Sequence, residues 1–210
     1  MDIRLPPVYP ITDKTLSGKP THLAILRELA RGGASWVQIR DKVTPDRELA
    51  ADLLRCVEFA AARGIRLIVD DRCDLALVSG AAGVHLGQTD LPPEAARRII
   101  GRRRIIGFST HTPAQVRAAR RMPVDYLGFG PVFGTTTKEN AEPPVGLEGL
   151  KIACRMADKP VVAIGGIGPG RIRAVLDAGA SSAAVISALM GAPDIARRME
   201  ELLREATATG

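Results

Sequence analysis

Short apolar runs recur along the chain at residues 7–12, 36–40, 67–70, 83–86, 105–109, 126–130, 161–164 and 183–186. Each is rich in Val or Ile and apolar without strict alternation, the pattern of a strand buried on both faces of a parallel sheet. Between the runs the period becomes helical. Residues 21–31 carry apolar positions at helical spacing, with Thr21 placed to cap them. Residues 45–62 put Leu49, Leu53, Leu54 and Val57 on one face. Residues 113–121 open with Pro113 after Thr112, a cap followed by Pro at the first helical position. Residues 169–178 stop before Gly179, and 193–206 form the last helix, with Asp194 early and basic residues later. Shorter helices are predicted at 74–79 and 92–100.

Eight strand–helix alternations predict a closed parallel barrel of the TIM, or (β/α)8, type, with residues 1–210 as one domain. The alternative is an open doubly wound sheet, which usually shows a Gly-rich loop in its first βα turn. This chain has Ile11-Thr12-Asp13 there. Composition fits the barrel. Hydrophobic residues make up 46% of the 210 and aromatics only 3%, so the core must be built from Val, Ile, Leu and Ala. A domain of this length buries about 70% of its unfolded surface and needs no disulfide or metal staple. Cys56, Cys73 and Cys154 show no CxxC spacing and point to neither a disulfide framework nor a zinc site. Residues 1–10 lack a signal-peptide pattern, and no apolar stretch reaches the ~18 residues of a membrane span. A soluble cytoplasmic protein is the expectation. The net charge of +6 comes largely from arginines in helical stretches and in the Arg102-Arg103-Arg104 turn. It reads as a solvated face, since no aromatic-interleaved basic motif marks a nucleic-acid surface. A positive balance also steers anionic substrates.

In a barrel of this kind chemistry belongs to the C-terminal strand ends. After the second strand, Gln38, Arg40 and Lys42 fall on one line and make a phosphate clamp plausible; a salt-bridged interior is the alternative. Asp70-Asp71 follows the third strand and Gln88-Thr89-Asp90 the fourth. Carboxylates from adjacent strands can share a hard cation such as Mg²⁺. Equally, Asp90 could cap the next helix and Asp71 could pair with Arg72. Ser109 sits at the mouth of the fifth strand, with His111 beyond it. His111, His85 inside the fourth strand and His22 at a helix start each have a structural reading at least as good as a catalytic one. After the sixth strand runs the longest irregular connection, with Thr135, Thr136, Thr137 and Lys138 offering hydroxyls and an ammonium to a phosphate. Such loops are often lids. Gly165, Gly166 and Gly168 follow the seventh strand and Ile186-Ser187 the eighth, the recurrent phosphate site of this fold; glycines that serve only to turn the chain are the alternative.

Six segments in order carry a family resemblance: VQIRDK (37–42), GVHLGQTDLP (83–92), GFSTHT (107–112), GPVFGTTTK (130–138), PPVGLEGL (143–150) and AIGGI (163–167). The chain resembles the thiamine phosphate synthases nearly end to end. That resemblance implies a transferase of thiamine biosynthesis. It would join 4-amino-2-methyl-5-hydroxymethylpyrimidine diphosphate to a thiazole phosphate, releasing pyrophosphate with Mg²⁺ as cofactor. It implies that Gln38, Arg40, Lys42 and the intervening Ile39 and Asp41 backbone hold the pyrimidine diphosphate, together with Asp70. Asp71 and Asp90 would bind Mg²⁺, Ser109 the pyrimidine and Lys138 the diphosphate. Thr135, Thr136, Thr137, Gly166, Ile186 and Ser187 would hold the thiazole phosphate. Arg40, Lys42, Ser109 and Lys138 are the expected catalytic set. The partners implied are small phosphorylated molecules, with neither nucleic acid nor membrane, and a homo-oligomer stays open.

One departure stands out: the family has Asn-Asp where this chain has Asp70-Asp71. An ionised Asp cannot donate to a phosphate oxygen. Two competing readings share the fold. A thiazole tautomerase would use a His near His111 but has no need of paired carboxylates or Lys138. A non-catalytic binder of a thiamine precursor is favoured only by Asp70. Phosphate-binding barrels of tryptophan biosynthesis share the late glycines and lack the Asp71/Asp90 pair and the TTTK loop.

Overall fold

The computed structural model describes residues 3–135 and 143–208. Among them eight parallel strands alternate with helices: β1 Val8–Pro10, β2 Trp36–Ile39, β3 Arg66–Asp70, β4 Gly83–Leu86, β5 Ile105–Thr110, β6 Tyr126–Phe129, β7 Val161–Ala163 and β8 Ser182–Val185. The helices are α1 Lys14–Ser17, α2 His22–Arg31, α3 Asp46–Ala61, α4 Cys73–Ser79 and α5 Pro93–Ile100. They continue as α6 Pro113–Ala119, α7 Gly146–Met156, α8 Ile172–Asp177, α9 Ser187–Met190 and α10 Ile195–Thr207. The sheet order is β1-β8-β7-β6-β5-β4-β3-β2. Between β1 and β2 the ring is closed by one bridge, Ile11 to Gln38, where Thr12 N donates to Gln38 O at 2.9 Å. The expected barrel is therefore present, and none of the described helices is long and apolar enough to cross a membrane.

Strand parity sorts the side chains into two layers. Val8, Val37, Ile39, Leu67, Val69, Val84, Ile106, Leu127 and Val185 face the helices and join one large core with them. Tyr9, Ile11, Trp36, Ile68, Ile105, Tyr126, Val162 and Ala184 face inward as a second cluster. Both layers are buried, which is why the strands read as continuous apolar runs.

The inward layer is uneven. Tyr9, Trp36 and Tyr126 meet edge to face, with centroids 6.1 to 6.5 Å apart, and plug the barrel floor. On β5 the inward position is Gly107. A Cβ there would run into the Tyr126 phenol and His85 Nδ1. The glycine is thus the space the aromatic ring occupies.

Helix starts follow local chemistry. Thr21 accepts from Ala24 N at 3.1 Å, and Thr112 with Gln115 completes a capping box. Helices α1, α7 and α9 were not expected, and α8 starts late. Segment 146–156 is helical, though Gly146 and Gly149 dilute its apolar period. Helix α8 begins at Ile172 rather than 169, because Gly170 takes φ +79°.

Filling the Gly107 space forces a ring out of place. Gly107→Ala is expected to lower unfolding free energy by about 1–3 kcal/mol, the usual range for overpacking. Urea denaturation measures this, and an unchanged midpoint would show that the floor can yield.

Candidate active site

The C-terminal strand ends surround a cavity of about 500 Å³, within the size range of small-molecule sites. Gln38, Arg40, Lys42, Asp70, Asp71, Asp90, Ser109, Thr135, Gly166, Ile186 and Ser187 all line it. Residues nominated from seven different strand ends therefore converge. Thr136, Thr137 and Lys138 lie outside the described residues.

Cations from β2 face carboxylates from β3. Lys42 Nζ stands 3.2 Å from Asp70 Oδ2 and also pairs with Asp71. Arg40 lies 3.8 Å from Asp70 and 3.6 Å from Asp13. The clamp and the salt-bridged interior read from sequence describe the same groups: the charges are paired, but on the cavity wall. Lys42 is nearly half exposed, so its pairs hold loosely and can exchange for a ligand anion.

Ile39 and Asp41 do not line the cavity. Ile39 faces the outer core. The Asp41 carboxylate turns back into the protein. It accepts from Val43 N and Thr44 N at 2.9 and 2.8 Å and from Thr44 Oγ1 at 2.7 Å. It also meets Lys14 Nζ at 3.0 Å and His22 Nε2 at 2.9 Å. Burial alone would raise the Asp41 carboxyl, but donors from Thr44, Val43 and His22 outweigh it and hold it far below the usual range. The other ring nitrogen of His22 bonds Thr12 Oγ1 at 2.9 Å, and its backbone N donates to Asp52 at 2.6 Å. Burial keeps the His22 imidazole below its ordinary value, against the pull of Asp41. This network ties the loop bearing Arg40 and Lys42 to β1, α2 and α3.

Asp71 is the only described non-glycine residue with a left-handed backbone, at φ +59°. Such a conformation is uncommon even for Asp, and its concentration at ligand sites is general. Arg72 is engaged with Asp46 and Asp74, at 2.6 and 2.7 Å, so Asp71 partners Lys42 instead. Asp90 Oδ2 accepts from Gly87 N at 2.5 Å, while Pro92 occupies the cap of α5 without a side-chain bond. Asp90 therefore shapes the β4 loop and is not that helix's cap.

Ser109 Oγ lies 2.9 Å from His85 Nε2, and Gln88 Nε2 donates to Ser109 O at 2.6 Å. His111 Nδ1 is held at 2.7 Å by Gly130 O. By strand order β7 lies across the barrel from β3. Here the wall is backbone. Gly166, at φ +63°, leaves no room for a Cβ against Gly134 O and Phe133. One side of the cavity is thus charged, and the other is lined by Gly165, Gly166, Ile186 and Ser187.

Tyr9, Tyr126, Asp13 and Gln115 were not singled out by sequence reasoning. The two tyrosines sit inside apolar runs, where only the inward parity of the closed barrel reveals them. Asp13 shows as a helix cap, accepting from Leu16 N at 3.0 Å, and its second role facing Arg40 has no local signal.

Known proteins give an independent comparison. A family model described as thiamine monophosphate synthase matches residues 8–189. The chain is 42% identical over 207 residues to the thiamine-phosphate synthase of Albidiferax ferrireducens, covering 96% of this chain and 94% of that protein. It is 44% identical over 201 residues to the enzyme of that name from Moorella thermoacetica, covering 93% and 94%. Among solved structures it is similar to thiamine phosphate pyrophosphorylase from Pyrococcus furiosus, with TM-score 0.86, 37% identity and 96% of each chain covered.

The Asp41 network has a defined acid response. A carboxyl held low in the fold contributes stability that is complete above its unfolded value, about pH 4, and is lost as pH falls below it. A His held low adds a loss in the same direction below about pH 6.5. Asp41→Asn should therefore be less stable than wild type near neutrality, with the gap starting to narrow only as pH falls below about 4. Urea midpoints across that range test it; a gap independent of pH would contradict the network.

Proposed function

This chain belongs to the thiamine monophosphate synthase family, and from that membership we propose which side chains carry its reaction and how. The activity is thiamine-phosphate synthesis, a transferase reaction on small phosphorylated precursors. We take the substrates to be the aminopyrimidine diphosphate and a thiazole phosphate, and residues 1–210 to be one domain. The observation that carries the site assignment is the convergence of Arg40, Lys42, Asp70, Asp71, Asp90 and Ser109 on one cavity.

The donor set suits Mg²⁺. Asp71 and Asp90 are hard oxygen donors from adjacent strand ends, and no cluster of three His, Cys, Asp or Glu ligands occurs among the described residues. Mg²⁺ commonly uses one or two carboxylates and completes its shell with water and phosphate oxygens. Bound there, Mg²⁺ supplies positive charge against the diphosphate.

The protein's own groups act on the same charge. Arg40 and Lys42 are aimed at the diphosphate, where negative charge grows as the bond from the methylene carbon to the diphosphate oxygen breaks. Lys138 would add a further cation. The methylene carbon left behind is positive, its charge shared with the ring amino group, and the thiazole nitrogen then bonds to it. Pyrophosphate departs, so atoms and charge balance without a protein nucleophile. Ser109 and Gln38 orient the pyrimidine. Gly166, Ile186 and Ser187, on the wall opposite the charged one, receive the thiazole phosphate, with the hydroxyls of Thr135, Thr136 and Thr137 as further donors. Backbone N–H groups around glycines suit an anion.

Incubation of the protein with both substrates and Mg²⁺ should release pyrophosphate in step with thiamine phosphate. A tautomerase would isomerise the thiazole and release none. Asp70 competes with substrate for Lys42 and Arg40. Asp70→Asn should lower the KM for the pyrimidine diphosphate by roughly two- to tenfold, in keeping with a partly exposed ion pair. A rise in KM would mean that the carboxylate assists binding.

A further inference from the structure

A line of polar groups crosses the barrel floor beneath the cavity. Gln38 Nε2 donates to Tyr9 Oη at 3.5 Å. Tyr9 Oη and Tyr126 Oη are 3.1 Å apart. Tyr126 Oη lies 3.0 Å from His85 Nδ1, and His85 Nε2 lies 2.9 Å from Ser109 Oγ. Both phenols are buried, and burial raises them far enough to keep their protons. The ring nitrogens of His85 meet two hydroxyls, those of Tyr126 and Ser109, and neither bonds a carboxylate, the setting of a neutral imidazole.

Each group in the line therefore has one proton to give along it. Such a chain can run in one of two directions. If it ran from Ser109 toward Gln38, the Tyr9 proton would point at the amide N–H group, donor against donor. With the amide donating, Tyr9 gives its proton to Tyr126, and Tyr126 gives its own to His85 Nδ1. A neutral imidazole that accepts at Nδ1 must donate at Nε2. Ser109 then accepts from His85 and keeps its own proton for the cavity.

We infer that His85 is a positioning residue, locked by Tyr126, Tyr9 and Gln38 as the Nε2–H tautomer, which makes Ser109 a fixed hydrogen-bond donor to its ligand. This rests on the reading of Ser109 as a pyrimidine contact. A ring nitrogen of an aminopyrimidine is an acceptor, whereas its exocyclic amine is a donor. Ser109 thereby selects a ring nitrogen and rejects a ring turned to present its amine. Donation to the ring does not help positive charge to build there, so the effect falls on binding rather than on the chemical step. Gly107 belongs to the same device, because any larger residue would separate Tyr126 from His85.

Nitrogen-15 NMR of the imidazoles in the wild-type protein tests the chain directly. The sequence has three histidines, and His22→Gln and His111→Gln identify the His85 signals by elimination. Neutral His85 with its proton on Nε2 at about pH 7 supports the inference; a proton on Nδ1 overturns it. Kinetics gives a second readout. His85→Leu and Ser109→Ala should each raise the pyrimidine diphosphate KM roughly tenfold, the double variant no further, and the thiazole phosphate KM should stay within about twofold. Additive losses, or equal losses for both substrates, would reduce His85 to a packing residue. A wild-type protein that made no thiamine phosphate would sink the functional reading and leave the tautomer result intact.

Discussion

Charge of both signs confined to one rim of the barrel must be paired, and that requirement organises the site. Arg40 and Lys42 leave β2 on the inward side, and Asp70 and Asp71 leave β3 facing them. The pairs keep partly buried charge satisfied. Their alignment depends on strand parity and on the Asp41–His22 network that fixes the β2 loop from behind. Buried charge-assisted bonds there hold the backbone, and more exposed bonds in front of it are free to exchange.

On the proposed reading, the two walls of the cavity do different work for a physical reason. A diphosphate that gathers charge needs mobile partners of full charge, which the β2–β4 wall carries. A phosphate that is only held needs close backbone approach, which Gly166 permits at a point where any Cβ would strike Gly134 and Phe133. Beneath both, the Tyr9–Trp36–Tyr126 plug shuts the barrel. It also places the Tyr126 hydroxyl within reach of His85, whose other ring nitrogen meets Ser109.

Much of this was legible in the sequence because two-sided burial leaves its mark on every strand. All eight strands lie where the apolar runs put them, and most of the described polar residues nominated at their ends, Asp41 excepted, line the cavity. Caps at Thr21 and Thr112 were legible for the same local reason. Other features had no local signal. Continuous apolar runs conceal which side faces inward, so Tyr9 and Tyr126 were invisible as cavity-floor residues. The Asp41 carboxylate had no partner assigned from the sequence; parity and the turn at 41–44 aim it at His22. Helix α7 was hidden by two glycines. The left-handed backbone of Asp71 is a property of the assembled strand end and not of its residue type.

The central claim is that the β2 cations and the Asp71 and Asp90 carboxylates serve one diphosphate together. Calorimetric titration of inorganic pyrophosphate into the protein, with Mg²⁺ and then with a chelator in its place, tests this most directly. Binding that needs Mg²⁺ and disappears in D71A and D90A, with the fold intact, is what the account predicts. Equal binding with and without the metal, untouched by either substitution, would contradict it.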